Sequence, residues 1–263
     1  MTTLGPRAME ASSFSVIKGS LILETYELFA AWEFEASPPE NMRRARDTGA
    51  LSHGTISWAH DTSKAIRRRF APEGRDRRFV QVTQTRPSLP IWQPLLLWHM
   101  TRDEFLVRDF LTNWLYLAYE DGVFRLDATA AETYVASLQE RSDLVLAGAW
   151  TDTTKKRVAS GLMRTAADFG LLKGRVSREF THFHLPDESF LYIVAAMLAA
   201  GISAREIVAS NDWRLFLMSP TDVDRELLRF HQLHQVRYET AGSIARIELR
   251  DWSVTALARG AAS

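Results

Sequence analysis

Arginine and lysine are the side chains whose number and grouping suggest a task. Between Asn41 and Arg86 stand eleven basic residues: Arg43, Arg44, Arg46, Lys64, Arg67, Arg68, Arg69, Arg75, Arg77, Arg78 and Arg86. Only Asp47, Asp61, Glu73 and Asp76 oppose them. A guanidinium group offers two parallel donors to a phosphate, so such a set on one face would hold a duplex backbone. The bland reading of Lys64 to Arg69 is dipole compensation at a helix C-terminus, worth about 0.3–1 kcal/mol per residue. It leaves Arg75, Arg77 and Arg78 unaccounted for. A second group comprises Lys155, Lys156, Lys173, Arg175 and Arg178, with Arg157 and Arg164 between. Lys155 and Lys156 fall near the start of an expected helix, where cations oppose the dipole and an outside anion would relieve them. Aromatic residues do not alternate with these charges, which favours duplex contact over stacking on single strands.

Other chemistry is weaker. His182 and His184 would share one face of a strand, but no third metal ligand has suitable spacing, and packing explains them better. His231 and His234, three apart on a helix, read as a half-exposed face. Asp103 and Glu104 suit the first turn of a helix, where acids are favourable. Asp109 falls near an apolar stripe and suits a structural ion pair, with an arginine of the basic segment as candidate partner. Thr55, His60 and Asp61 do not line up as a relay. The phosphate-loop, serine-hydrolase and zinc-protease motifs are absent. These readings imply no enzyme, no metal and no cofactor.

Neither acids nor bases prevail, with 32 of each, so indiscriminate coating of nucleic acid is disfavoured and any basic face must come from segregation. With no cysteine, thiol nucleophiles, disulfides and zinc–thiolate sites are excluded, and a cytoplasmic location is the default. The longest nearly apolar run, Phe190 to Ile202, falls short of the roughly 20 residues that cross a bilayer. No apolar signal core precedes Phe14, so neither export nor a membrane partner is expected.

The elements that must position these residues follow from spacing and caps. Met1 to Ser13 reads as a loose tail. Helical patterns run from Ser20 to Trp32 and from Pro38 to Thr48, the latter entered through Ser37 and Glu40. Another runs from Thr55 to Phe70, with Ile56, Ala59, Ser63, Ile66 and Phe70 on its packing face. Phe79 to Thr85 alternates as a strand or extended loop. Thr101 with Glu104 forms a capping box before a helix over 102–119, and Thr129 to Gln139 makes one more. In the stretch WTDTTKKRVASGLMRTAADFGLLKGRVSREFTHFHL, Thr151 or Asp152 caps a helix whose apolar face is Val158, Leu162, Ala166 and Phe169. Gly170 stops it, Lys173 to Arg178 turn, and Phe180 to Leu185 alternates as a strand. That order is the grammar of a winged helix-turn-helix. Helices over 188–200, from Ser203 and from Pro220 follow. A hairpin over 236–249 closes the pattern and could pair with the Phe180 strand. The fold class expected is mainly α: a helical bundle over 13–145, then an α+β winged-helix-like domain over 146–250 with short antiparallel strands.

Four separated blocks resemble the BrxA family of the BREX phage-defence systems. They are SFSVIKGSLILETYELFAAW (13–32), LPIWQPLLLWHMTRDEFLVRDFLTNWLY (89–116), WTDTTKKRVASGLMRTAADFGLL (150–172) and RFHQLHQVRYETAGSIARIEL (229–249). The resemblance implies a NusB-like N-terminal bundle and winged-helix character in the rest. It also implies a non-enzymatic accessory protein that binds double-stranded DNA beside other BREX components. The family has also been labelled an inner-membrane protein, which the shortness of the 190–202 run argues against. On this reading the arginines of 41–86 neutralise phosphates, while Lys155, Lys156 and the Lys173–Arg178 turn set the winged unit at a groove. The rival is a protein–protein adaptor docking a defence component through the same basic face. Homodimer formation is left open.

Overall fold

The computed structural model describes residues 4–52, 54–241 and 244–249. Strand β1 (Glu10–Ala11) pairs in parallel with a strand much later in the chain, so the N-terminal segment is not a loose tail. Ala11 is fully buried there, and Gly5 N–H donates to the Arg102 carbonyl. Helices α1 (Ser13–Lys18), α2 (Ile22–Ala30) and α3 (Pro38–Asp47) follow, the last entered through a Ser37/Glu40 capping box. Thr55 caps α4 (Ile56–Arg69) by accepting from Trp58 N–H. Ile56 is 92% exposed rather than on the packing face, because α4 turns Ala59, Thr62, Ser63 and Ile66 inward.

The segment expected to be extended near Phe79 is helix α5 (Arg77–Gln84). Its buried Phe79, Val80, Val82 and Thr83 recur at helical spacing, and tertiary packing overrides the local alternation. Helix α6 (Leu89–Met100) is almost wholly buried. Residues 105–120 form a broken helix: α7 (Phe105–Asp109), a π segment (Phe110–Leu115) and α8 (Tyr116–Glu120). Strand β2 (Arg125–Leu126), helix α9 (Ala128–Ser137), a 3₁₀ turn (Leu138–Glu140) and strand β3 (Val145–Leu146), the partner of β1, lead to the long helix α10 (Asp152–Asp168). Thr151 caps α10 through Thr154 N–H, and Gly170 stands just past its end.

Strands β4 (Leu172–Lys173) and β5 (Arg178–Phe180) form a hairpin. Its turn requires Gly174, whose φ is 95° and where a Cβ would lie 2.3 Å from the Ser177 carbonyl oxygen. The strand ends at Phe180, so His182 and His184 lie in irregular chain. Helices α11 (Asp187–Ala199) and α12 (Ala204–Val208), a 3₁₀ segment (Asn211–Phe216) and helix α13 (Pro220–Gln232) precede the hairpin of β6 (Val236–Ala241) and β7 (Ile244–Leu249). Its turn, Gly242 and Ser243, lies outside the described residues. The β6–β7 pair is a sheet of its own. β5 instead pairs antiparallel with β2 and β4, in the order β2-β5-β4. The molecule is thus mainly helical with small open sheets. Its buried side chains, from Phe29 and Trp92 to Trp213 and Phe230, form one apolar cluster.

A polar network runs through that core. Asp76 accepts from Ala71 N–H at 2.8 Å and lies 2.7 Å from His99 Nδ1, 3.5 Å from Arg102 and 3.4 Å from Arg75. His99 Nε2 lies 2.8 Å from the Tyr192 hydroxyl on α11. Burial, aided by the Arg102 charge, lowers the His99 imidazole to about 4, so the ring is neutral near pH 7. The neutral ring donates to Asp76 through Nδ1 and accepts from Tyr192 through Nε2, which satisfies both nitrogens. Arg75 and Arg102 supply the positive charge beside Asp76. Trp98 Nε1 and Arg108 converge on Asp212 at 2.7 and 2.5 Å, a second tie between the halves.

An unfolded histidine protonates near pH 6.5, His99 only near 4. The stability this group contributes is therefore complete above pH 6.5 and declines as pH falls toward 4. Urea unfolding across that window should show a loss on the order of 3 kcal/mol from this group. His99→Gln should flatten that slope; equal slopes in the two proteins would refute the neutral, buried ring.

Candidate nucleic-acid interface

The cations of 41–86 do not share one face. On α3, Arg44 pairs with Glu33 at 2.5 Å, and Arg43 and Arg44 line a cleft with Glu33, Glu35, Glu40 and Asp47. Arg46 is exposed. Arg69, expected among the phosphate contacts, is 2% exposed. It donates to the carbonyls of Ser15, Gly19 and Ser20 and lies 3.5 Å from Glu104. Burial lowers its pKa and raises that of Glu104, each opposed by the partner's charge. Arg75 pairs with buried Asp103 at 2.5 Å. Asp103 and Glu104 are thus buried ion-pair partners that precede α7 rather than acids of a helix's first turn. Arg77 stacks over Phe34 at 4.2 Å, and Arg78 is half-buried. Asp109 does form a structural ion pair, but with Arg141 at 2.8 Å rather than with the basic segment; it also accepts from Tyr134 and Asn113.

Lys64, Arg67 and Arg68 do come together, at the end of α4. They line a cleft of about 460 Å³ with Arg7, Ser12 and Phe14. Arg7 was not among the residues the sequence nominated, because only folding brings the N-terminal segment to α4.

The second basic group is more orderly. On α10 the buried residues are Val158, Ala159, Leu162, Met163, Thr165 and Ala166. Thr153, Lys156, Arg157, Ser160 and Arg164 are exposed, at the three- and four-residue steps of one helical stripe. Arg157 and Arg164, not among the site residues the sequence nominated, therefore belong with Lys156. Lys155 is half-buried and pairs with Asp152 at 3.4 Å, an internal answer to a cation near the helix start. On the hairpin, Lys173 and Arg175 are exposed, Lys173 lying 3.8 Å from Glu179. Arg178 turns back to donate to the Gly174 carbonyl at 3.0 Å. Val176 at the tip is 92% exposed.

Helix α10 is held in place by α9 and α1. The approach of α1 is close: a Cβ at Gly161 would meet Val16 Cγ1 at 2.8 Å and the Val16 carbonyl oxygen at 3.0 Å. Ser20 donates to Asp168 at the far end of the same helix. These contacts hold the apolar side of α10 inward and leave the basic stripe to solvent.

A family model for BrxA matches residues 13–196, from α1 through most of α11. The chain belongs to the BrxA family. Membership associates it with BREX phage defence, as the sequence blocks imply. The BrxA match contains α10, the β4–β5 hairpin and the basic stretch of α4, and stops before β6. A crystal structure of an uncharacterized protein from Magnetospirillum magneticum is similar over 81% of this chain and 100% of that one. Its TM-score is 0.59 at 16% identity, a likeness of fold alone. No curated protein matches the chain. Among the described residues no group of three or more His, Asp or Glu could hold a metal ion, and no helix is long and apolar enough to cross a membrane.

The division into inward and outward arginines is measurable in unfolding experiments. Arg69→Ala leaves buried Glu104 with Arg68 alone and three carbonyls without their donor, and should cost about 3 kcal/mol or more. Arg67→Ala, two positions earlier, should cost less than about 0.5 kcal/mol. Similar costs for the two would show that the burial is wrongly assigned.

Proposed function

We propose that this BrxA-family chain is a non-enzymatic, cytoplasmic accessory component of a BREX system that binds double-stranded DNA through a winged helix formed by residues 105–180. The observation that carries the reading is topology. Helix (105–120), β2, α9, α10, β4, turn and β5 follow one another, and the sheet order is β2-β5-β4. That is the chain order of a winged helix, with α10 in the recognition position and Lys173 to Arg178 as the wing. On this reading the winged unit begins near Phe105, across the 145/146 boundary expected from sequence. The helices before it are the NusB-like part that the family resemblance implies. The connection from α9 to α10 is longer than the three- or four-residue turn of a simple helix-turn-helix. Pairing of β3 within it to β1 anchors it.

A recognition helix presents its exposed face to the major groove while neighbouring cations contact phosphates. The stripe of Lys156, Arg157, Ser160 and Arg164 suits the groove and the phosphates along its rim, and Lys173 and Arg175 suit an adjoining phosphate or minor groove. Balanced overall charge is compatible with this, because the stripe and wing expose several cations on one unit.

Binding of an unrelated-sequence duplex, followed by anisotropy over a range of salt, tests the reading. Lys156→Ala with Arg157→Ala should weaken binding and flatten the slope of log K against log salt by about two, one for each phosphate no longer neutralised. Unchanged affinity and slope would remove α10 from the interface. Equal displacement by any polyanion would favour the adaptor reading.

A further inference from the structure

The cleft at the end of α4 is separate from the α10 stripe, since α1 packs between α4 and α10. Its lining includes four cations, Arg7, Lys64, Arg67 and Arg68, and no carboxylate. Nearby acids neutralise them incompletely. Glu10 is shared, 3.9 Å from Arg7 and 3.3 Å from Arg68. Glu104 is shared between Arg68 at 3.6 Å and Arg69 at 3.5 Å. The Lys64 ammonium sits 5.0 Å above the Phe14 ring and has no carboxylate partner among the described residues. Arg67 is exposed and makes no ion pair or hydrogen bond among them. Arg68 leaves buried Nε and Nη2 without a hydrogen-bond acceptor.

We propose that this cleft is a phosphate-binding site, distinct from the winged unit. Cations gathered at short range repel one another, and an anion with several oxygens relieves them together. A phosphate offers three terminal oxygens and close to two charges, which suits guanidinium forks from two directions. A carboxylate offers two oxygens and one charge. The Ser12 hydroxyl in the lining adds a donor. The volume, about 460 Å³, exceeds that of a bare phosphate and falls in the range of small-molecule sites. The phosphate can therefore be carried by a nucleotide or belong to a nucleic-acid backbone.

Isothermal titration of the full chain with sodium pyrophosphate at low ionic strength provides the test, with duplex anisotropy in parallel. Lys64→Ala with Arg67→Ala, both on the exposed side of α4, should weaken pyrophosphate binding by about tenfold or more. The charge-retaining pair Lys64→Arg with Arg67→Lys should keep it, and so should Lys156→Ala with Arg157→Ala on α10. If the alanine pair also weakens the duplex and flattens its salt slope, the phosphate is one of the DNA backbone. If the duplex is unaffected, the cleft serves a free phosphorylated molecule; both results support the site. No heat with wild-type protein, or heat that the alanine pair leaves unchanged, would overturn it. Failure of the winged-helix reading appears instead as duplex binding that the α10 variant does not alter.

Discussion

Charge withdrawn from water must be paired, and in this protein that constraint decides what the surface can do. Asp76, Asp103 and Glu104 are buried and draw Arg75, Arg102, Arg68 and Arg69 toward them. These residues tie α4, the loop before α5 and the start of α7 into one polar seam within an apolar core. Arg69, Arg75 and Arg102 are consumed there and unavailable to a ligand, whereas Arg68 also reaches the cleft at the end of α4. Among the cations left outside are Lys64 and Arg67 on α4 and the stripe on α10, which make no ion pair among the described residues. A desolvated ion pair adds little net stability compared with apolar packing, but stranding one member is costly. The seam therefore holds the orientation of α4 more than it adds to total stability.

The same economy of position sets up α10. A helix can expose a basic stripe only if its apolar side is fully occupied. Here α1 supplies that cover at a spacing that a side chain at position 161 would disturb. The β4–β5 hairpin follows directly, and Gly174 lets it turn tightly enough to place Lys173 and Arg175 close in sequence and outside the core. Local sequence, helix packing and surface chemistry thus converge on one unit, and family membership gives that unit a biological setting.

Much of the helical framework was legible in the sequence because its signals are local. The caps at Ser37, Thr151 and Ser203 act within three residues, and the apolar spacing of α10 is read without knowing its neighbours. The two- and three-residue strands were not legible, since pairing with distant chain defines them: β2 meets β5 from far along the sequence. Helix α5 read as extended for a related reason, its short apolar run being ambiguous until packed. The sorting of the cations was half legible. Arginine counts marked 41–86, but only coordinates separate Arg69, turned to backbone carbonyls, from Arg67, turned to water. The contribution of Arg7 required the parallel pairing of β1 with β3, which no local pattern announces.

Whether the exposed stripe of α10 meets duplex DNA is tested most directly by a photoreactive benzoyl-phenylalanine at position 160, in the middle of that stripe. Irradiation with a duplex should give a covalent adduct at position 160 and none at position 228, an exposed site on α13. No adduct at 160, or equal adducts at the two positions, would contradict the account.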